Sequence, residues 1–573
     1  GRGGPLQARD HRRHRLMTTV ERGDGPAPES QPASEPDPVR APQRSRAEGR
    51  PQSVHRYRRV FQILFLVLFL ALLTLTVWPL GTIFLGGFLL SDPLLAINSV
   101  ANGVIQWQLL LAIPVLVSPL FLGRAFCGYV CPMGFLVELF GPRRERHPGP
   151  RARKVLRKVP LFGLVATLFL IVFGSAVFLV FDPLSILTRT ATTVVYPAVD
   201  RGLRLAGDVL YMAPPLQDSV DSVTGFLTGR LVFANGLAYK LQLVIVAMFV
   251  GILAVSFVER RLWCRHLCPL GALLGLVGRK AIYGRVVDER KCSTCEACAA
   301  VCPMDATRDG GRSTDSSRCQ LGLECADACG FDAIRWGRRP RKQHVHDPSR
   351  RALLQAGGLA FVGGFFLFTG LGRIQRKAHL IRPPGARLEL DFLATCARCS
   401  QCMKVCPTNV IQPAVFDAGV EGFFTPQMDF RRGYCDWNCN ECGKVCPTQA
   451  IRQLTLEQKR LKVIGRAYID RNTCIPWAEA RDCLVCEELC PIPEKAIVFR
   501  TEVVRGGDTQ NGPIPAGGGD DGGDDGAAGS IVKLPQVVPE RCTGCGICEY
   551  YCPVANEVAI RVRSTEQTGL LSR

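Results

Sequence analysis

Cysteine spacing constrains this chain more than any other feature. The sequence holds 27 cysteines in 573 residues, and most of them recur as C-x2-C-x2-C-x3-C runs or close variants, nearly all with proline next. In a short secreted protein such a number would suggest disulfides. This pattern instead suits an iron–sulfide cube. The short turns bring three thiolates to three corners, and a more distant cysteine, followed by proline, supplies a fourth. Structural zinc sites use paired ligands rather than four cysteines inside eleven residues, as in Cys292 to Cys302. The thiols are therefore expected to be metal ligands, loaded where the chain is still reduced.

Four runs lie toward the C-terminus: Cys396, Cys399, Cys402 and Cys406; Cys435, Cys439, Cys442 and Cys446; Cys474, Cys483, Cys486 and Cys490; Cys542, Cys545, Cys548 and Cys552. In two-cluster ferredoxins the last cysteine of each run serves the other cluster. On that rule Cys446 completes the first set, Cys406 the second, Cys552 the third and Cys490 the fourth, giving four 4Fe–4S clusters. An earlier unit carries Cys292, Cys295, Cys298 and Cys302, then Cys319, Cys325 and Cys329, with Gly322 where another cysteine is expected. Swapped ligation gives Cys292, Cys295 and Cys298 their fourth partner in Cys329. It leaves Cys302, Cys319 and Cys325 as a set of three. One or two clusters are expected there, the second being a three-iron cluster, a cube with a non-cysteine ligand, or an empty site.

The remaining cysteines, Cys127, Cys131, Cys264 and Cys268, form two C-x3-C-P motifs. On a helix, residues four apart share a face, so each pair is expected to point together. The four thiols could hold a metal or cluster, act as dithiols, or be buried packing residues.

Apolar stretches surround these motifs: Phe61 to about Leu80, Ile105 to Leu122, Pro160 to Phe181 and Leu241 to Val258. Each is long enough, or nearly so, to cross a hydrocarbon core of about 30 Å as a helix. The basic residues gather beside them, at Arg56–Arg59 and between Arg143 and Lys158, while the connection from Leu80 to Val104 has no Lys or Arg. The net charge of +20 and mean hydropathy of +0.13 thus read as basic loops flanking apolar spans, with no nucleic-acid partner. By the positive-inside rule both ends of the bundle face the cytoplasm. Each half repeats an Asp-Pro-Leu, at Asp92 and Asp182, and then a C-x3-C-P. Two such halves would be related by an axis near the membrane normal. The aspartates are candidate proton acceptors on the periplasmic side, or simply helix-ending turns.

The expected fold is a membrane α-helical bundle, four spans plus a fifth anchoring helix, with small α+β bacterial-ferredoxin-like 4Fe–4S domains. Residues 1–55 form a disordered basic tail, 56–284 the four-helix membrane domain, 285–340 a cytoplasmic two-cluster unit, 341–372 a signal-anchor helix and 385–573 a periplasmic four-cluster domain. Within the last, 505–530 reads as a flexible Gly/Asp-rich insertion. The anchor begins Ser349-Arg350-Arg351, like a twin-arginine export signal. No A-x-A site follows it, so it is expected to stay attached, and no cleavable signal peptide is expected before Phe61.

On these residues the first half resembles the NapH-type membrane ferredoxins, with four spans, two C-x3-C-P motifs and a two-cluster unit. The second half resembles the NapG/MauM-type ferredoxins, with a twin-arginine segment before four clusters. The chain looks like a fusion of the two, and NosR and the CcoG/FixG-type proteins share the C-x3-C-P bundle. The resemblance implies a protein of the bacterial inner membrane that draws on the lipid-borne quinone pool, oxidises quinol, and passes electrons to a periplasmic redox partner, a reductase or cytochrome c. For the NapG/NapH pair that acceptor is a nitrate reductase system. The CcoG relatives imply an alternative role, supplying electrons for maturation or maintenance of a metal centre in another protein.

Overall fold

A computed structural model of the chain describes residues 53–75, 86–141, 156–227, 236–339, 380–504 and 530–564, with six further positions between 354 and 362. Most of the expected signal-anchor, the basic tail and the Gly/Asp-rich insertion lies outside the described residues.

A helical bundle forms the middle of the molecule. Helix α1 (Ser53–Leu75) starts inside the segment expected to be a tail. After it come α2 (Gly87–Leu90), α3 (Pro93–Ala101), α4 (Ala112–Leu122), α5 (Ala125–Tyr129) and α6 (Pro132–Leu139). The second half repeats the order with α7 (Val159–Val172), α8 (Pro183–Thr190), α9 (Tyr196–Tyr211), α10 (Gln217–Leu227), α11 (Gln242–Val258) and α12 (Pro269–Val277). Among the described helices α1 alone is long and apolar enough to cross a membrane. Trp107–Leu122, Val159–Val172 and Gln242–Val258 are apolar but shorter.

The stretch from Pro160 to Phe181 is not one helix. It ends at Val172, turns through Gly174 at φ +72°, and resumes as a 3-10 turn over Val177–Phe181. Only glycine adopts that left-handed turn without strain. Asp92 and Asp182 then cap α3 and α8. Asp92 Oδ1 accepts from Leu94 N and Asp182 Oδ2 from Ser185 N, both at 2.8 Å, with Pro93 and Pro183 in the first helical position. Aspartate as cap and proline at N1 is a strong helix-start signal. The two aspartates therefore begin helices rather than end them, and both are fully buried.

Five two-stranded antiparallel sheets occur among the described residues, all outside the bundle. One unit runs from β1 (Tyr283–Val287) to β4 (Ile334–Arg338), which pair with each other, with β2 (Thr307–Arg308) and β3 (Ser313–Thr314) between them. The larger domain, from residue 380 onward, contains β5 (Ile411–Pro413) with β6 (Pro426–Met428), β7 (Arg466–Ile469) with β10 (Ile560–Arg563), and β8 (Ile497–Val504) with β9 (Ser530–Val537).

The two cysteine-rich regions dock at opposite ends of α1. The smaller unit meets its start, where Arg58 pairs with Glu324 at 3.1 Å. The larger domain meets its end, where Lys404 donates to Leu73 O. Fifteen helical residues between these contacts span about 22 Å.

Candidate metal centres

The regular runs share one local geometry. In each, the residues two and four places after the first cysteine are left-handed: Thr294 and Glu296, Leu321 and Leu323, Arg398 and Ser400, Gly544 and Gly546. A one-turn helix follows and carries the next cysteine, as in Ala297–Ala300 with Cys298 and Gln401–Lys404 with Cys402. Successive left-handed residues curl the backbone so that its thiols face one point. Non-glycine residues pay strain to adopt this shape. The run from Cys474 departs from the pattern, since a short helix, Ile475–Glu479, separates Cys474 from Cys483.

The structure brings the cysteines together as six sets. Cys474, Cys483, Cys486 and Cys552 line one cavity, and Cys490, Cys542, Cys545 and Cys548 line another. Cys396, Cys399, Cys402 and Cys446 are electrostatic neighbours, as are Cys406, Cys435, Cys439 and Cys442. In the smaller unit Cys298 neighbours Cys292, Cys295 and Cys329, and Cys302, Cys319 and Cys325 line a third cavity. In every case the last cysteine of one run joins the set of its partner run. Burial pushes the Cys435 and Cys439 thiols up to about 12, so they would ionise near neutrality only against bound metal. Among the described residues no three His, Cys, Asp or Glu side chains close on a single-ion position. A lone tetrahedral zinc would need its sulfurs about 3.8 Å apart. Four inward thiols around a wider centre fit a cube.

The order of sets in space is not their order in sequence. Cys435 N donates to Cys545 O at 2.8 Å, so the second set adjoins the fourth, and the Tyr434 ring packs at a tilt against Tyr550 and Tyr551, with centroids 5.6 and 5.8 Å away, beside that junction. The first set adjoins the bundle: Cys399 shares a buried cluster with Cys131 and Cys268. A path outward from the bundle therefore runs through the first, second, fourth and third sets.

Cys127, Cys131, Cys264 and Cys268 converge in the bundle, each an electrostatic neighbour of others in the group. They do not do so along continuous helices. Cys127 lies in α5 and Cys264 in a π-helical turn (Trp263–Leu267), while Cys131 and Cys268 are extended N-caps of α6 and α12. The following Pro132 and Pro269 force this, because proline drives the residue before it out of the helical region. Asp182 neighbours both Cys131 and Arg189, and Arg189 neighbours Cys399. Asp182 and its neighbour Asp92 thus lie within the bundle core between the converging cysteines and the first set, not at a watery edge. The same packing carries Cys399 into the buried core of the bundle.

Several buried cations escaped the reading of the sequence. Arg398 donates to Ala176 O at 2.6 Å, Cys396 O at 3.0 Å and Glu421 O at 2.6 Å. Arg189 donates to Val180 O at 3.2 Å and lies over the Phe424 ring. Lys404 lies over Tyr196, 4.6 Å from its centroid. At the other end Glu138 accepts from Arg58 and Arg261, and Arg261 also reaches Gln320. Burial alone would raise the Glu138 carboxyl, but the Arg261 and Arg58 guanidiniums outweigh it and hold it down to about 2. Arg398 and Lys404 stand inside a cysteine run where small residues would suffice, a signal that was available. For Arg58 there was none.

An apolar cleft of about 700 Å³ opens between α1, α2, α4 and α5, lined among others by Phe65, Phe88, Ser91, Ser118, Tyr129 and Leu321. Leu321 also lines the cavity of Cys302, Cys319 and Cys325.

A 4Fe-4S binding domain family matches residues 105–151 and 241–286, each half holding one C-x3-C-P motif. A 4Fe-4S dicluster domain family matches residues 395–450, and a second 4Fe-4S binding domain family residues 535–555. The methylamine utilization ferredoxin-type protein MauM of Methylobacillus flagellatus is 30% identical over 228 residues, 39% of this chain and 86% of that protein. The ferredoxin-type protein NapG of Haemophilus influenzae is 31% identical over 233 residues, 39% of this chain and 74% of that protein. The methylamine utilization ferredoxin-type protein MauN of Methylorubrum extorquens is 29% identical over 256 residues, 43% of this chain and 73% of that protein. No solved structure matches the chain.

Proposed function

Because the chain belongs to the family of ferredoxin-type proteins that includes MauM and NapG, we propose that it is a membrane-bound iron–sulfur electron carrier, a NapH-type bundle fused to a NapG/MauM-type domain. It oxidises quinol and delivers electrons to a periplasmic reductase of the kind NapG serves. The observation that carries this reading is that Cys399 belongs to the same buried cluster as Cys131 and Cys268, which links the bundle to the start of a four-set relay. Four clusters fill the sets of the larger domain, and the smaller unit holds its own at the other end of α1. The basic residues around the smaller unit's end support a cytoplasmic side for it, and hence a periplasmic side for the relay.

The apolar cleft supports quinol binding, being long enough for a ring and part of an isoprenoid tail, with Ser91 on its wall next in sequence to Asp92. Asp92 and Asp182 support proton handling. Each leaves one carboxyl oxygen without a hydrogen-bond partner, Asp92 Oδ2 and Asp182 Oδ1, and one proton held between them would serve both. Electrons leave quinol for the clusters while its protons pass to this pair.

Anaerobic mixing of the full-length protein with menaquinol or ubiquinol tests the reading. Rapid bleaching of cluster absorbance is expected, slowed about a hundredfold in Asp182→Asn. Unchanged rates in both Asp92→Asn and Asp182→Asn would remove the pair from the reaction. An absence of quinol-driven bleaching would turn the reading to the alternative, supply of electrons to another protein's metal centre.

A further inference from the structure

Cys302, Cys319 and Cys325 line a cavity of about 140 Å³, against about 30 Å³ and 20 Å³ at two of the complete sets, so the three-cysteine site has not closed up.

The backbone has not relaxed either. Leu321 and Leu323, on either side of Gly322, keep left-handed φ of 64° and 60°, the same two positions that are left-handed in the three regular runs with all their cysteines. Leucine is a costly residue to hold there. Gly322 itself is not left-handed, so glycine is not required at this place for its freedom of conformation. What stands opposite it is a cation. A Cβ at residue 322 would lie 3.2 Å from Arg58 Nη1. Arg58 is 1% exposed and fixed by Glu138, by Glu324 at 3.1 Å and by Gly128 O at 3.4 Å.

We propose that Cys302, Cys319 and Cys325 bind a three-iron, four-sulfide cluster whose iron-less corner faces Arg58. The proposal rests on the iron–sulfur reading above and deepens it. A cube lacking one iron turns three sulfides, each with a free lone pair, toward the empty corner. A fixed guanidinium is a suitable neighbour for them, since it carries only donors, and it discourages a fourth iron cation from entering. Leu321 lines both the cluster's cavity and the apolar cleft.

Low-temperature electron paramagnetic resonance of the full-length protein, purified without oxygen and then mildly oxidised, tests this. The expected result is a three-iron signal integrating to one spin per chain. It should be absent in Cys325→Ser, and absent in Gly322→Cys with one more iron per chain, because the new thiol completes a cube. Cys325→Ser decides the matter if the thiol at 322 cannot displace Arg58 and Gly322→Cys does not accumulate. No three-iron signal in the unaltered protein, or one that persists in Cys325→Ser and so comes from oxidative loss at another set, would overturn the proposal. Reduced-cluster signals from the larger domain are the internal reference. Their absence would instead overturn the iron–sulfur reading as a whole.

Discussion

The two ends of the bundle hold iron–sulfur folds of the same local design in opposite ways. At the end bearing residues 283–339 the contact is ionic: Arg58, Arg261 and Glu138 meet Glu324 and Gln320, and Arg157 meets Asp305 at 2.9 Å. At the end bearing residues 380–564 buried cations meet neutral acceptors: Arg398 and Lys404 donate to backbone carbonyls, Asn98 Nδ2 donates to Ala394 O at 3.1 Å, and Asn409 Nδ2 to Ala238 O at 2.9 Å. The cysteines differ in the same sense. Cys295 is exposed, whereas Cys396, Cys399, Cys402 and Cys406 are all buried. A ferredoxin run can therefore be sunk into a helical bundle or set on its edge without changing its own backbone. What changes is how much water and how much charge surround the sulfurs, the variables that set potential.

The sharpest way to break this comparison is to disable one centre at each end. Cys399→Ser removes a ligand from the set that shares a buried cluster with Cys131 and Cys268. Reduction of the other three sets in the larger domain by quinol should cease, while chemical reduction by dithionite still bleaches them. Cys295→Ser at the exposed end should leave quinol-driven reduction of the larger domain measurable in stopped-flow absorbance. Equal loss in both variants would mean that electrons pass through the smaller unit on their way outward, and the two ends would then be stages of one line.

A smaller effect is expected at the ionic end. Glu138→Gln leaves the Arg58 and Arg261 guanidiniums without their shared carboxylate and should destabilise docking of residues 283–339 by about 3 kcal/mol, seen as faster proteolysis of that unit while the larger domain resists. The wild-type contribution has a definite sign with pH. Glu138 is held down to about 2, below its unfolded value. Its stabilisation is present in full above about pH 4.5 and is lost as pH falls toward 2. Between pH 5 and 8 protection of the unit should be flat as far as this group is concerned, and Glu138→Gln should lower it uniformly. A wild-type slope that the variant abolishes within that window would contradict the assignment.

Cysteine grouping was legible in the sequence because it depends on short local spacing, and so was the start of α3 and α8 in the Asp-Pro pairs. The bundle was less legible for a reason that can be named residue by residue. Hydropathy sees a continuous apolar run through Gly174, and the C-x3-C spacing reads as one helix face ending at Cys131 and at Cys268, but a left-handed glycine and two prolines break the backbone there. Charge reading failed in the same way. Arg58 and Arg59 are adjacent in a basic cluster, yet Arg58 is buried among carboxylates and Arg59 faces outward. Which of two neighbouring arginines turns inward is decided by Glu138 and Glu324, far away in sequence, and no local pattern contains them.

The smallest expected effects lie at the rims, where the two ends resemble each other. Arg157–Asp305 is 31% and 12% exposed, and Lys240–Asp429, at 2.6 Å, is 39% and 13% exposed. Asp305 keeps Arg265 and Arg308 within reach, and Asp429 keeps Arg432. Neither carboxylate is orphaned when its first partner is removed. Arg157→Ala and Lys240→Ala should each cost within about 1 kcal/mol, and the loss should shrink as salt screens the pair. Thermal denaturation followed by loss of visible absorbance, at low and high ionic strength, measures both. If Lys240→Ala costs as much as Glu138→Gln, charge at the rim holds the larger domain in place. The contrast between an ionic and a neutral seam would then have to be abandoned, because buried carbonyl contacts at Arg398 and Lys404 would no longer account for its attachment.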